Sequence, residues 1–257
     1  MGKRDKPIVY GIHPVIEALE SDQSLEKILI RHGNTHPKIR DIQAMARVRK
    51  IPVQQVPEEK LRRLSREERH QGIVAQYAAV AYQSLESVIL ALEKTAETPL
   101  FVLLDGVTDV RNFGAIARTA ECMGAHALIV PSTGSAPLNA DALKTSAGAL
   151  NHLPVCREAH LVDSLLLLQA YGIRTVGCTE KTAHSIFEET LTGPLCLVMG
   201  SENKGISNPL LKRVDALVAL PLLGKISSLN VSVAAGMAMI EVVRQRGISP
   251  ATEEETV

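Results

Sequence analysis

Two loops hold the polar side chains that this 257-residue sequence places directly after buried strands. The first, SENKG at 201–205, follows an apolar run at 195–199 that ends on Gly200. It leads to Asn208-Pro209, a helix start in which Asn caps orphan amides and Pro is tolerated in the first turn. The second loop, 224–228, follows an apolar run at 216–223 and opens a small-residue-rich helix near Leu229. Ligands of open α/β sheets bind outside the carboxyl ends of the strands, so both loops are candidate ligand contacts. Glu202 in the first loop accepts hydrogen bonds, and Asn230 after the second both donates and accepts, which suits orienting a polar group. On pattern alone, two ordinary strand-to-helix turns explain the same residues equally well.

What is missing narrows the chemistry. No G-x-G-x-x-G follows the first strand of the α/β portion, and no G-x-x-x-x-G-K-[ST] occurs, which disfavours a nicotinamide-dependent enzyme. A nucleotide-like cofactor must therefore sit elsewhere, and the two C-terminal loops are the place that fits. Cys122, Cys156, Cys178 and Cys196 show no C-x-x-C spacing. We expect reduced, buried thiols, no metal site and a cytoplasmic protein. His126, His152 and His184 have no partner spacing and are given no role.

The elements that must position these residues follow from periodicity. From residue 100 onward, strands at 100–104, 126–130, 153–156 and 173–177 alternate with helices at 114–123, 139–149 and 161–170. Such alternation predicts a parallel α/β sheet. Residues 7–82 read as a smaller α/β domain, with strands at 27–31, 51–56 and 72–80 and helices ending at Glu20, spanning 37–50 and starting near Pro57. We divide the chain into an N-terminal domain at 1–82, a linker with a helix at 83–99, and a second domain at 100–257. No apolar run reaches membrane-spanning length, and the acidic tail Glu253–Glu255 is expected to fray. The net charge is zero, but residues 1–82 hold 15 Lys+Arg against 10 Asp+Glu. A basic front end on an acidic back end suits an RNA-contacting module, and equally two halves that attract each other.

Three long motifs lie in one order across the last 155 or so residues. LLDGVTDVRNFGAIARTAECMGA at 103–125 contains N-x-G-x-x-x-R, as Asn112, Gly114 and Arg118; GSENKGI and LPLLGKISSLNVSVAAG follow. Together they resemble the SpoU (TrmH) family of RNA ribose 2′-O-methyltransferases. The N-terminal G-x-H-P-V-x-E-A-L at 11–19 and R-H-Q-G at 69–72 resemble the substrate-binding domain of the family's rRNA-modifying members. Two positions depart from the family pattern: Val110-Arg111 stands where Pro and a variable residue are frequent, and Asn203 where Gly is common.

The resemblance implies a deep trefoil knot of the SPOUT type, which periodicity does not disclose. It implies S-adenosylmethionine as cofactor, held by Met199, Gly200, Leu220, Leu222, Leu223, Ser228 and Leu229, with Gly200 allowing close backbone approach. It implies Arg118, Asn112, Glu202 and Asn230 as the catalytic group. A guanidinium keeps its proton, so Arg118 is expected to stabilise a developing alkoxide and grip a phosphate instead of accepting a proton. The implied substrate is RNA, with a guanosine of 23S rRNA foremost. A tRNA ribose methyltransferase or an inactive RNA-binding protein stand as alternatives. A homodimer is implied too, through the helix carrying Ala234, Ala235, Gly236 and Ala238.

Overall fold

The computed structural model describes residues 8–21, 23–66 and 69–247, so the acidic tail lies outside the described residues. Two sheets organise the chain. The first takes β1 (Ile8–Tyr10), β2 (Leu25–Arg31), β3 (Val53–Val56) and β4 (Ile73–Tyr77), in the order β1-β4-β2-β3. Helices α1 (Ile12–Glu20) and α2 (Ile39–Val48) bury Val15, Leu19 and Ile42 against Ile28, Ile30 and Ile73 of that sheet. Helix α3 (Glu58–Ser65) packs Leu61 onto Leu29 and Val74. The two N-terminal motifs meet here. Gly11 caps α1 without a side chain, and Gln71 Oε1 of R-H-Q-G accepts the Ile12 amide at 2.8 Å in its place. Gly72 has φ +75°, and a Cβ there would lie 2.6 Å from Asn34 Nδ2, so glycine is required.

The second sheet is parallel throughout, in the order β11-β9-β10-β6-β7-β8-β5. Its strands are β5 (Tyr82–Gln83), β6 (Leu100–Asp105), β7 (Ala127–Pro131), β8 (Val155–Glu158), β9 (Arg174–Cys178), β10 (Leu195–Gly200) and β11 (Ala216–Val218). Leu100, Val102 and Leu104 enter one core, while Phe101 and Leu103 enter the other. Both faces are covered, which is why the strands read as unbroken apolar runs. Helices α5 (Val110–Cys122), α6 (Ala140–Thr145) and α9 (Val231–Arg246) cover the first face; α4 (Leu85–Leu92), α7 (Leu161–Ala170) and α8 (Asn208–Leu211) cover the second.

Several expected boundaries shift for identifiable reasons. The run at 216–223 pairs only over β11, because Pro221 removes a ladder donor and Leu223 is fully exposed. The helix expected at 139–149 stops at Thr145, since Ala147 and Gly148 both take positive φ before a short 3₁₀ turn. The segment 83–99 carries the expected helix, but that helix is packed: Leu85, Val88 and Ile89 of α4 share a core with Phe101 and Leu103. Cys122 is exposed, against the expectation of burial, while Cys156 and Cys196 are buried and all four are free.

The two halves meet through Glu26. Its Oε2 accepts the Tyr82 hydroxyl at 2.8 Å and the Leu138 amide at 3.3 Å. Arg157 lies 4.0 Å over the Tyr82 ring and donates to the Glu26 carbonyl, and Lys50 pairs with Glu158. Burial, reinforced by Glu26, pushes the Tyr82 hydroxyl well above its ordinary pKa, so it stays a donor. One ion pair at this seam, Lys50–Glu158, joins a basic front residue to an acidic back one, while Glu26 and Arg157 have the reverse polarity.

Candidate functional site

A cavity of about 410 Å³ opens at the carboxyl ends of β9, β10 and β11. Met199, Gly200, Leu220, Leu222, Ser228 and Leu229 line it, six of the seven residues expected to hold a cofactor. Leu223 does not: its side chain points fully into solvent. Thr179, Glu180 and Lys181, which follow β9, form a third wall that the sequence reading missed. Strand order explains the omission. The apolar runs β10 and β11 follow each other in sequence, but β9 lies between them in the sheet, so its loop must enter the cavity. Cys178 also lines the wall, and burial pushes its thiol up to about 12, so it remains protonated and offers no nucleophile at neutral pH.

The loop after β10 is a closed turn. Ser201 and Gly205 exchange both backbone hydrogen bonds, at 3.2 and 2.8 Å, and Gly205 has φ +65°. Asp105 Oδ2 at the end of β6 accepts the Ser207 amide at 2.7 Å and fixes the turn's exit. The turn folds back onto Gly200: a Cβ there would lie 2.1 Å from Gly205 C and Ile206 N. The glycine is required by the protein's own backbone, whatever approaches from the cavity.

Three of the four expected catalytic residues come together. Asn230 caps α9, with its Oδ1 accepting the Ser232 amide at 2.9 Å, which turns Nδ2 outward. That Nδ2 donates to Glu202 Oε1 at 2.8 Å and to Asn112 Oδ1 at 3.0 Å. Asn112 Nδ2 donates to the same Glu202 oxygen, closing the triangle. Asn112 is itself helical, because Asp109 caps α5 at its Arg111 and Asn112 amides, four residues before the expected start. The fourth residue stands apart. Arg118 is exposed and does not line the cavity. Six residues past Asn112, it lies about 9 Å further along the helix and on another face.

Gly114, the middle of N-x-G-x-x-x-R, is a contact position. A Cβ there would lie 2.1 Å from Thr145 Oγ1 and 2.9 Å from the Thr145 backbone carbon. Gly114→Ala is therefore expected to destabilise the fold by about 1–3 kcal/mol, the usual range for overpacking. Thermal unfolding beside Gly114→Ala/Thr145→Ala checks this, with partial rescue expected because the second change removes the Oγ1 clash but leaves the Thr145 Cβ at 2.6 Å and its backbone carbon. Full stability in the single variant would show that α5 and α6 separate freely.

The small residues of α9 also pack within the chain: Ala235 and Ala238 are buried, and Gly236 faces Thr119 of α5. Left exposed is a different stripe, Val233, Met237 and Ile240. Among the described residues no cluster of three metal-ligating side chains occurs, and no helix is long and apolar enough to cross a membrane.

Comparison with known proteins bears on this arrangement. The model of the SpoU rRNA methylase family matches residues 99–240, and that for RNA 2′-O ribose methyltransferase substrate binding matches residues 8–83. The 23S rRNA (guanosine-2′-O-)-methyltransferase RlmB of Yersinia pestis is 38% identical over 242 residues, covering 94% of this chain and 98% of the relative. The protein of that name from Pseudomonas putida is 36% identical over 241 residues, 93% of this chain and 97% of the relative. Among solved structures, the SpoU methyltransferase AviRb of Streptomyces viridochromogenes in complex with the cofactor AdoMet aligns with TM-score 0.59 and 27% identity. That alignment covers 95% of this chain and 94% of AviRb.

Proposed function

The chain belongs to the SpoU rRNA methylase family, and from that premise we propose that it transfers a methyl group from S-adenosylmethionine to a ribose 2′-hydroxyl of RNA. A guanosine of 23S rRNA is the favoured acceptor, as in the relatives that match nearly end to end. The observation carrying this reading is the Asn112–Glu202–Asn230 triangle, whose Glu202 also lines the cavity. The cavity's residues fit S-adenosylmethionine. Leu220, Leu222 and Leu229 offer an apolar seat for an adenine, and Glu180, Lys181 and Lys204 offer charges complementary to an amino-acid end. When bound, this cofactor supplies a methyl group on an electrophilic sulfonium, so alignment matters more than activation.

Each side chain then has a task. Glu202, held by two amides, fixes the turn that forms one wall. Asn112 and Asn230 tie α5 and α9 to that turn and orient the acceptor ribose. Arg118 stabilises the developing alkoxide and grips the adjacent phosphate. Because Arg118 stands away from its own cavity, a homodimer supplies it to the site, and the exposed Val233–Met237–Ile240 stripe is the face that such a dimer buries. A deep trefoil knot at the C-terminal end is part of this reading. The insertion of β10 between two earlier strands, β9 and β6, supports it. A cytoplasmic location is part of this reading, and the rRNA-modifying relatives support it.

The test is direct. Purified protein with methyl-labelled S-adenosylmethionine is expected to label 23S rRNA at a ribose and leave tRNA transcripts unlabelled. Label in tRNA alone would keep the chemistry and overturn the rRNA assignment. Failure to bind the cofactor would overturn the whole reading.

A further inference from the structure

The N-terminal domain holds a second concave surface, distant in sequence from the cavity at β9–β11. It is a cleft of about 750 Å³ walled by Arg31, Asn34, Glu58, Arg62, Arg69 and His70, with Gln71 and Gly72 behind. We propose that this cleft clamps the phosphodiester backbone of RNA and is indifferent to base sequence. The proposal deepens, and rests on, the reading of the chain as an RNA methyltransferase.

Charge is the first argument. Among the described residues that line it, three guanidiniums face one carboxylate, Glu58, so this wall is cationic. Glu58 organises this group without cancelling it. Arg31 Nη1 donates to Glu58 Oε2 at 3.1 Å, Arg62 Nε lies 3.8 Å from Oε1, and His70 Nε2 lies 3.5 Å from Oε1. A guanidinium carries five N–H donors in a rigid fork, so one contact to Glu58 aims Arg31 and leaves most of the fork for a phosphate.

The second argument is what the cleft lacks for reading bases. Both amide oxygens in its wall, Asn34 Oδ1 and Gln71 Oε1, are committed to holding the backbone. Asn34 Nδ2 donates to the Gln71 and Gly72 carbonyls at 3.2 Å each, and its Oδ1 accepts the His36 amide at 3.1 Å. Gln71 Oε1 is committed to the Ile12 amide. His70 is buried, and its Nδ1 accepts the Gly72 amide at 3.0 Å, which directs Nε2 at Glu58. Among the described residues no Phe, Tyr or Trp lines the cleft to stack a base. Phosphate contacts set position and register while base contacts specify sequence. The chemistry here is of the first kind, on a wall stiffened by both N-terminal motifs.

The experiment uses the full chain and two labelled RNAs, a 23S rRNA fragment and a scrambled RNA of equal length, titrated over a range of salt. Arg31→Ala and Arg69→Ala are each expected to weaken both RNAs by about tenfold, the scale of one charge-assisted contact. Each should also lower the slope of log affinity against log salt by about one. Arg63→Ala on α3, exposed but outside the cleft, is expected to change binding less than about twofold, the scale of a surface charge away from a contact. Cofactor affinity should be unchanged in all three. If the cleft variants bind RNA as Arg63→Ala does, in a protein that still methylates RNA, the clamp is wrong and the enzyme reading stands. Losses confined to the rRNA fragment would also overturn it, since the cleft would then be reading bases. A wild-type chain that binds the cofactor but neither RNA would overturn clamp and enzyme reading together.

Discussion

Arg118→Ala is expected to lower methyl transfer by about 10²–10³-fold, the usual cost of removing one donor aimed at a developing oxyanion. Cofactor affinity and thermal stability should stay close to wild type, because the side chain is exposed and outside the cavity walls. The combination discriminates. A residue that shaped the cofactor seat would move the binding constant, and one that held the fold would move the melting temperature. Arg118→Lys adds a second constraint. A compact ammonium keeps the charge but not the planar fork, so it should recover only part of the loss. Mixing Arg118→Ala subunits with subunits carrying a separate cavity defect tests the dimer. If Arg118 crosses the interface, mixed dimers regain one intact site and activity returns. Single-turnover transfer measures the chemistry, and calorimetry measures cofactor binding. Unaltered transfer in Arg118→Ala would remove this residue from the mechanism.

Much of this site was legible in residue order, and the exceptions share a cause. The runs 100–104 and 195–199 were readable because β6 and β10 are buried on both faces, which leaves no alternation to confuse with a helix. Glu202 was readable because a polar residue just after such a run lies at a strand's carboxyl end, whereas Asn230, well past the end of β11, was identified by its motif. Lys181 was not readable, because sequence does not disclose that β9 lies between β10 and β11. Leu223 was misread for a related reason: an apolar residue continues a strand in pattern, while Pro221 ends the pairing in space. The N-terminal motifs were visible as strings, but not that Gln71 of the second caps the helix of the first. Distance in sequence hides such a cap completely. Arg118 is a different case, since motif membership identified it and the single chain leaves it outside the cavity.

The two loop glycines of the opening motifs are expected to respond oppositely to one added methyl group. Gly224→Ala should change apo stability little, because a Cβ there meets no atom within 4 Å and its φ is not in the left-handed region. Gly200→Ala places its Cβ 2.1 Å from Gly205 C and 2.6 Å from Gly205 O, which are backbone atoms that no rotamer change can move. Relief requires opening the turn closed by the Ser201–Gly205 pair, which carries Glu202 out of reach of Asn112 and Asn230. The substitution is therefore expected to cost about 3 kcal/mol, the upper end for overpacking, and to lower the melting temperature by roughly 6–12 °C for a chain of this size. Cofactor binding should fall further than stability alone predicts, because Met199, Gly200 and Glu202 all line the cavity. Scanning calorimetry with and without S-adenosylmethionine separates the two effects. A ligand-induced stabilisation that is large in wild type and Gly224→Ala but absent in Gly200→Ala is the expected pattern. Equal stabilisation in all three would mean that the turn tolerates displacement, and that its closure is not what shapes the site.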